Sequence, residues 1–258
     1  MVTILFHSTI FGPIHSRRLG VSLGINLSPN DGKICSFDCL YCEAGYNSQG
    51  QGSTGMPKRE EVRLQLCEKL KEMNAGNMAL DVITFSGNGE PTLHPQFHEI
   101  IDDTLDVRDI YYPHAKVSVL SNATQLDNPN VCNALLKVDN NILKLDSAIN
   151  KTLRLIDQPR SPIFTAEKLI EQLSRFGKNC IVQTMMLRGT HNGQVIDNTT
   201  DTEIDALINA YVRIKPLEVM LYSIDRQTPE ERLVKVGKDE LESIASKIRQ
   251  HGITVIVS

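Results

Sequence analysis

The residues best equipped for chemistry are three cysteines within eight positions, Cys35-Ser-Phe-Asp-Cys39-Leu-Tyr-Cys42. Thiols this close bind a soft metal or an iron–sulfur cluster. Structural zinc normally takes four protein ligands, and no second C-x-x-C or H-x3-H pair follows at a workable distance. His15 is the candidate fourth ligand, though it lacks a paired motif. A four-iron cluster on three thiolates leaves one iron without a protein ligand, open to a small molecule. The spacing favours a cluster over zinc and leaves both readings in play. Cys67, Cys132 and Cys180 stand singly among apolar neighbours and read as small buried hydrophobes.

A second constellation, Ser86-Gly87-Asn88-Gly89-Glu90-Pro91-Thr92, follows the apolar run Asp81 to Phe85. It fails as a dinucleotide fingerprint, because Thr92 stands where the third glycine belongs and Pro91 interrupts the entry into a phosphate-facing helix. Its glycines suit close approach of backbone to a ligand, and a carboxylate at Glu90 on the rim suits an ammonium group.

These groups need a frame, and the chain alternates apolar runs with amphipathic helical stretches, the pattern of repeated βα units and a largely parallel sheet. Strands are expected at 21–27, 81–85, 116–120, 141–145, 180–187, 217–222 and 254–257, and helices at 60–73, 95–105, 130–138, 166–176, 201–212 and 239–250. Thr200 to Glu203 and Thr228 to Glu231 carry the Thr-x-x-Glu capping pattern, and Gly252 suits a helix end. Reactive groups of such folds gather at the carboxyl ends of the strands. The cysteine triplet, the Gly87–Glu90 loop, Ser121-Asn122, Asp146-Ser147, Arg188-Gly189 with an inward Gln183, and Tyr222 to Arg226 all follow or end expected strands. They are expected to face one cavity. The glycine-rich stretch 43–59 reads equally as a linker or as a loop serving the cysteines.

With 258 residues, one α/β domain spanning 1–258 is expected, its core running from Gly12 to about Gln250. Net charge −4 gives no general attraction to polyanions, although Arg17, Arg18, Lys33, Lys58 and Arg59 would form a basic rim if they converged. No run approaches the roughly 18 apolar residues of a membrane span, and residues 1–18 lack the signal-peptide pattern. A cytoplasmic protein is expected.

The Cys35-x3-Cys39-x2-Cys42 spacing, with Tyr41 before the last cysteine, resembles the defining motif of the radical S-adenosylmethionine (radical SAM) superfamily. Ser86 to Pro91 resembles its Gly-Gly-Glu motif with Asn88 inserted. Gly12-Pro-Ile-His-Ser-Arg-Arg-Leu-Gly20 and Ser22-Leu-Gly-Ile-Asn26 are similar to iron–sulfur oxidoreductases related to the wybutosine tRNA enzyme. The resemblance implies a partial (βα)6 TIM-like barrel of mostly parallel strands. It implies that Cys35, Cys39 and Cys42 hold three irons of a [4Fe-4S] cluster whose fourth iron chelates the amino and carboxylate groups of S-adenosylmethionine. Gly87, Asn88, Gly89 and Glu90 would then contact the methionyl ammonium, and Tyr41 would lie near adenine through its backbone. Ser121, Asn122 and Asp146 would occupy the strand ends that serve carboxylate and ribose.

The implied activity is reductive cleavage of S-adenosylmethionine to a 5′-deoxyadenosyl radical that abstracts hydrogen from a substrate. A one-electron donor such as flavodoxin or ferredoxin is implied as partner. The substrate, whether small molecule, protein or tRNA, is not written in the sequence. The competing reading is a non-catalytic iron–sulfur or zinc module for structure or electron transfer.

Overall fold

The computed structural model of the protein describes residues 4–16 and 19–258. The chain opens with β1 (Ile10–Ser16) and β2 (Gly20–Ile25), followed after a long loop by α1 (Arg59–Ala75), β3 (Val82–Phe85), α2 (Phe97–Tyr111) and β4 (Lys116–Ser121). It continues through α3 (Pro129–Leu135), β5 (Asn140–Lys144), α4 (Asn150–Asp157), α5 (Ala166–Ser174), β6 (Ile181–His191) and β7 (Gln194–Asp197). The last elements are α6 (Asp201–Ile214), β8 (Glu218–Ser223), β9 (Leu233–Lys235), α7 (Lys238–Arg249) and β10 (Val255–Val257).

The main sheet runs β1-β2-β3-β4-β5-β6-β8-β10, parallel from β2 onward, with β1 antiparallel on one edge. Among the described residues its ends do not pair, so the architecture is an unclosed barrel of βα units. Side chains alternate across each strand. Leu23, Ile25, Ile83, Phe85, Val117, Val119, Leu143, Val182 and Val219 turn outward into the core shared with the helices. The opposite parity, which includes Ser22, Thr84, Ile142, Lys144, Gln183 and Met220, turns into the lumen. Helix α1 shows the matching stripe, burying Val62, Leu66, Leu70 and Met73 at spacings of four and three.

The seven expected strands and six expected helices are all present, with ends shifted by a few residues. Four elements were not expected: β1, α4, β7 and β9. The last two pair antiparallel with the extension of β6 and raise a small second sheet above the barrel rim. The Thr200 cap holds, its Oγ1 accepting from Glu203 N, but Glu203 takes a hydrogen bond from Ser147 Oγ at 2.6 Å. Thr228 to Glu231 caps nothing. It is a loop in which Thr228 Oγ1 donates to Glu230 O at 2.7 Å and Glu230 pairs with His191.

Arg59 makes a two-point contact with Asp103, Nε to Oδ2 at 2.7 Å and Nη2 to Oδ1 at 3.0 Å, and Arg63 Nη1 adds a third bond at 2.8 Å. This clamp ties α1 to α2. The Arg59 hydrogen bonds hold the Asp103 carboxyl below its ordinary value of 3.8. A depressed carboxyl contributes stability above its unfolded pKa and loses it as pH falls through the folded one. The melting temperature of Asp103→Asn is therefore expected to lie below that of the parent at pH 6, with the gap narrowing as pH falls below 3.8. A constant gap across a calorimetric pH series would refute this.

Candidate active site

The cysteine loop leaves β2 and crosses the carboxyl ends of the strands, held by the two segments that the sequence singled out. Ile34 forms a parallel bridge with Gly89, in which Ile34 N donates to Asn88 O at 3.2 Å and Glu90 N donates to Ile34 O at 3.0 Å. The 43–59 stretch is a strap over the cysteine loop. Asn47 Oδ1 accepts from Cys35 N at 3.1 Å, its Nδ2 donates to Phe37 O at 3.0 Å, and its N donates to Asp38 Oδ1 at 2.7 Å.

Glu90 is 4 % exposed and lies beneath the rim. Its Oε1 accepts from Thr92 N, Thr92 Oγ1 and Ser121 Oγ, and its Oε2 from Asn122 N at 2.6 Å, leaving Oε2 capacity for another donor. Burial pushes the Glu90 carboxyl up, and these hydrogen bonds only partly offset it. Asn122 reaches the cysteines, its Nδ2 lying 3.5 Å from Cys35 Sγ and 2.9 Å from Ser36 Oγ. Burial pushes the Cys35 thiol up to about 12, the Glu90 charge adding to the effect and Lys33 opposing it.

On the other side of the loop, Lys144 Nζ lies 3.5 Å from Cys39 Sγ, 2.7 Å from Asp146 Oδ2 and 3.0 Å from Asp157 Oδ1, over the Tyr41 ring at 4.2 Å. Burial opposes its charge, but Asp146, Asp157 and the Cys39 thiol together hold its pKa well above the ordinary value. Asp146 is fully buried, accepting from Met185 N at 2.9 Å and from the Tyr41 hydroxyl. Burial raises the Asp157 carboxyl, with Lys144 opposing and Asp146 adding.

The expected basic rim needs correction. Lys33 is no rim cation: it is 2 % exposed, its Nζ donating to Gly45 O at 2.6 Å with Asp38 Oδ1 at 3.4 Å. Arg59 is engaged by Asp103, and Arg17 and Arg18 lie outside the described residues, so the basic rim does not form as drawn. Asn88 spends its side chain on the amino-terminal segment, Nδ2 donating to Phe6 O and Pro29 O while Oδ1 accepts from Phe6 N. Gly87 and Gly89 are small to admit neighbouring protein: a Cβ on Gly87 would lie 2.4 Å from Asn26 Oδ1, and one on Gly89 1.9 Å from Ile34 O. Ser121 Oγ donates to Glu90 and accepts from Ala123 N.

The strand ends do not all face one cavity. Ser147 turns to Glu203, Ser223 to Met186 O, and Arg188 to Glu240 and Thr199, because their parity sends them outward. Arg226 is on the rim, its Nη1 donating to Glu43 Oε2 at 2.7 Å beside Cys42. The cysteines, Glu90, Asn122, Tyr41 and Asp146 do come together. Sequence reasoning missed Asn47, Lys144 and Asp157, and set Lys33 on the surface although it is buried. Lys144 had a signal, since it shares the lumen parity of Ile142 at a strand's carboxyl end.

The donor set suits an iron–sulfur cluster. The three thiols share one short loop, in which Cys42 N donates to Cys39 O at 3.0 Å, and buried ammoniums at Lys33 and Lys144 stand beside it to balance anionic charge. Among the described residues no three Cys, His, Asp or Glu side chains converge on a single-ion position. Tetrahedral zinc draws thiolates to roughly 3.8 Å of one another, whereas a cluster spreads them over separate irons.

Three thiols thus stand at the carboxyl rim of an unclosed barrel, tied to a glycine–glutamate loop through the Ile34–Gly89 bridge. The family model described as the radical SAM superfamily matches residues 30–201. The chain belongs to the radical SAM superfamily. Over 237 residues it is 31% identical to a GTPase Obg of Brachyspira hyodysenteriae, covering 90% of this chain and 32% of that protein. It is also 31% identical to a UPF0026 protein of Synechocystis, covering 86% of this chain and 78% of the relative. The chain thus spans about a third of the first of these relatives.

Among solved structures, a radical SAM methyltransferase from Sphaerobacter thermophilus superposes with TM-score 0.64 at 13% identity, over 92% of this chain and 65% of that one. TYW1 with a lysine–pyruvate adduct bound gives TM-score 0.58 at 17% identity, over 89% and 73%. These likenesses establish the shared fold. No helix among the described residues is long and apolar enough to cross a membrane.

Proposed function

We propose that the chain is a single-domain, cytoplasmic radical SAM enzyme, with Cys35, Cys39 and Cys42 holding a [4Fe-4S] cluster. When bound and reduced by a one-electron donor such as flavodoxin or ferredoxin, this group supplies the electron that cleaves S-adenosylmethionine and yields a 5′-deoxyadenosyl radical for hydrogen abstraction. The observation carrying this reading is the linkage of the cysteine and glycine–glutamate loops through the Ile34–Gly89 bridge, which sets Glu90 beside Cys35.

The chain's own residues divide the work. Glu90 Oε2 receives the methionyl ammonium alongside the Asn122 amide, in a pocket where burial strengthens a charge-assisted hydrogen bond. Asp146, fixed by Met185 N and Lys144, orients the ribose side of the cofactor with Tyr41. Lys144 and Lys33 offset the charge of the thiolates, and the 43–59 strap excludes water from the cysteine loop, as radical chemistry requires. The protein orients and protects; the bond-breaking chemistry belongs to the cofactor.

The test is anaerobic reconstitution, dithionite reduction and chromatographic assay with S-adenosylmethionine. About four irons per chain and formation of 5′-deoxyadenosine are expected, both lost when Cys35, Cys39 and Cys42 are replaced by Ala. One zinc with no sulfide, or a full cluster without 5′-deoxyadenosine, overturns the reading.

A further inference from the structure

Below the cysteine loop the lumen holds a cavity of about 120 Å³, about the room of four liquid waters. Its polar wall is Ser22, Thr84, Ser86 and Gln183, and its apolar wall includes Leu120 and Ile142. Among the described residues no ionisable side chain lines it. Ser22 Oγ and Thr84 Oγ1 satisfy each other at 2.8 Å. Gln183 does not share in this: it is 8 % exposed, and its Nε2 is buried with no hydrogen-bond partner among the described residues.

An amide nitrogen carries donors and no acceptor, and leaving it dry and unpaired destabilises the fold, so an orphan donor on a cavity wall marks the place of an acceptor. The cavity also adjoins the reactive level. Gln183 pairs in register with Lys144, whose ammonium touches Cys39, and Ser86 immediately precedes Gly87.

We propose that this cavity seats the uncharged end of the substrate, a carboxamide or other carbonyl on a short aliphatic stem, with Gln183 Nε2 donating to its oxygen. As a statement about substrate, this rests on the radical SAM reading above. The ligand chemistry follows from the wall. A phosphate, carboxylate or ammonium would lose its hydration with no counter-charge among the described lining residues, which is costly, whereas a carbonyl satisfies the orphan donor and an aliphatic stem fits against Leu120 and Ile142. The volume limits the inserted end to something of side-chain size. The bond that loses hydrogen then lies toward the rim, on the part of the substrate nearest Lys144 and the thiols.

The experiment uses the reconstituted holoprotein without reductant or S-adenosylmethionine, so it stands or falls separately from radical chemistry. Butyramide, butyrate and butylammonium, near-isosteric fragments of different charge, are titrated while the side-chain amide signals of Gln183 and the methyl signals of Leu120 and Ile142 are followed by NMR. A saturable shift with butyramide, at least tenfold stronger than with either ion and abolished in Gln183→Leu, is the expected result. Gln183→Glu keeps the shape, so it should fold where Gln183→Leu does not, and should invert the preference toward butylammonium. Equal response to all three fragments, or none to butyramide because the cavity takes water only, overturns the proposal.

Discussion

Gly89→Ala is expected to strip the protein of its cluster. The added Cβ would stand 1.9 Å from Ile34 O and 2.7 Å from Ile34 C, both backbone atoms. The contact is with the bridge partner one residue before Cys35. Relief requires the two loops to part by more than 1 Å, breaking the bonds from Ile34 N to Asn88 O and from Glu90 N to Ile34 O. Overpacking of this kind costs about 1–3 kcal/mol or more, and here the strain falls on the segment that aims a thiol. Iron after reconstitution should fall from about four to below about one per chain, with a lower melting temperature even before metal is added. Gly76→Ala is the control, because its Cβ meets nothing closer than 3.5 Å at ordinary backbone angles. Full iron loading and an unchanged melting temperature in Gly89→Ala would refute the account.

That example also shows what was legible in the sequence. The glycine–glutamate loop and the cysteine triplet were visible as neighbours of the same rim, because strand parity and the βα alternation are local signals. The reason for the glycine was not visible: the neighbour it admits is Ile34, 55 positions away in the chain and brought close only by folding. The side-chain partners of Asn88, Phe6 and Pro29, were hidden for the same cause. The missed β7 and β9 are four and three residues long and owe their existence to pairing with β6. A window that short carries little periodicity of its own. Polarity at strand ends was legible, but direction was not always used. Ser147 and Ser223 follow the outward parity, and attention to alternation would have removed them and promoted Lys144.

Lys33 was legible as a charge and illegible as a buried one, and its replacement by Met is expected to make the reconstituted cluster harder to reduce. The 43–59 strap folds over it, Lys33 N donating to Gly50 O and Nζ to Gly45 O, so its ammonium is removed from water. Burial works against that charge, yet Cys42, Cys35 and Cys39, with Asp38, hold its pKa above the ordinary lysine value. The same coupling acts in reverse on the sulfur side, since a fixed positive charge favours the form of the cluster with one more electron. Unit charges about 4 Å apart interact by about 4 kcal/mol at an effective dielectric of about 20. A third of that is a tenfold change in the reduced-to-oxidised ratio, or about 59 mV for one electron.

Lys33→Met, which keeps most of the apolar stem, should therefore shift the midpoint potential by at least about 60 mV to the negative, read by EPR-monitored titration. Lys33→Arg, which keeps the charge, should stay within about a third of that. If the lysine acted only as a tether for the strap, the two variants would alter iron content alike and leave the potential of the loaded fraction unchanged. The potential of that fraction, independent of how much cluster assembles, decides between a charge that tunes electron transfer and a strut.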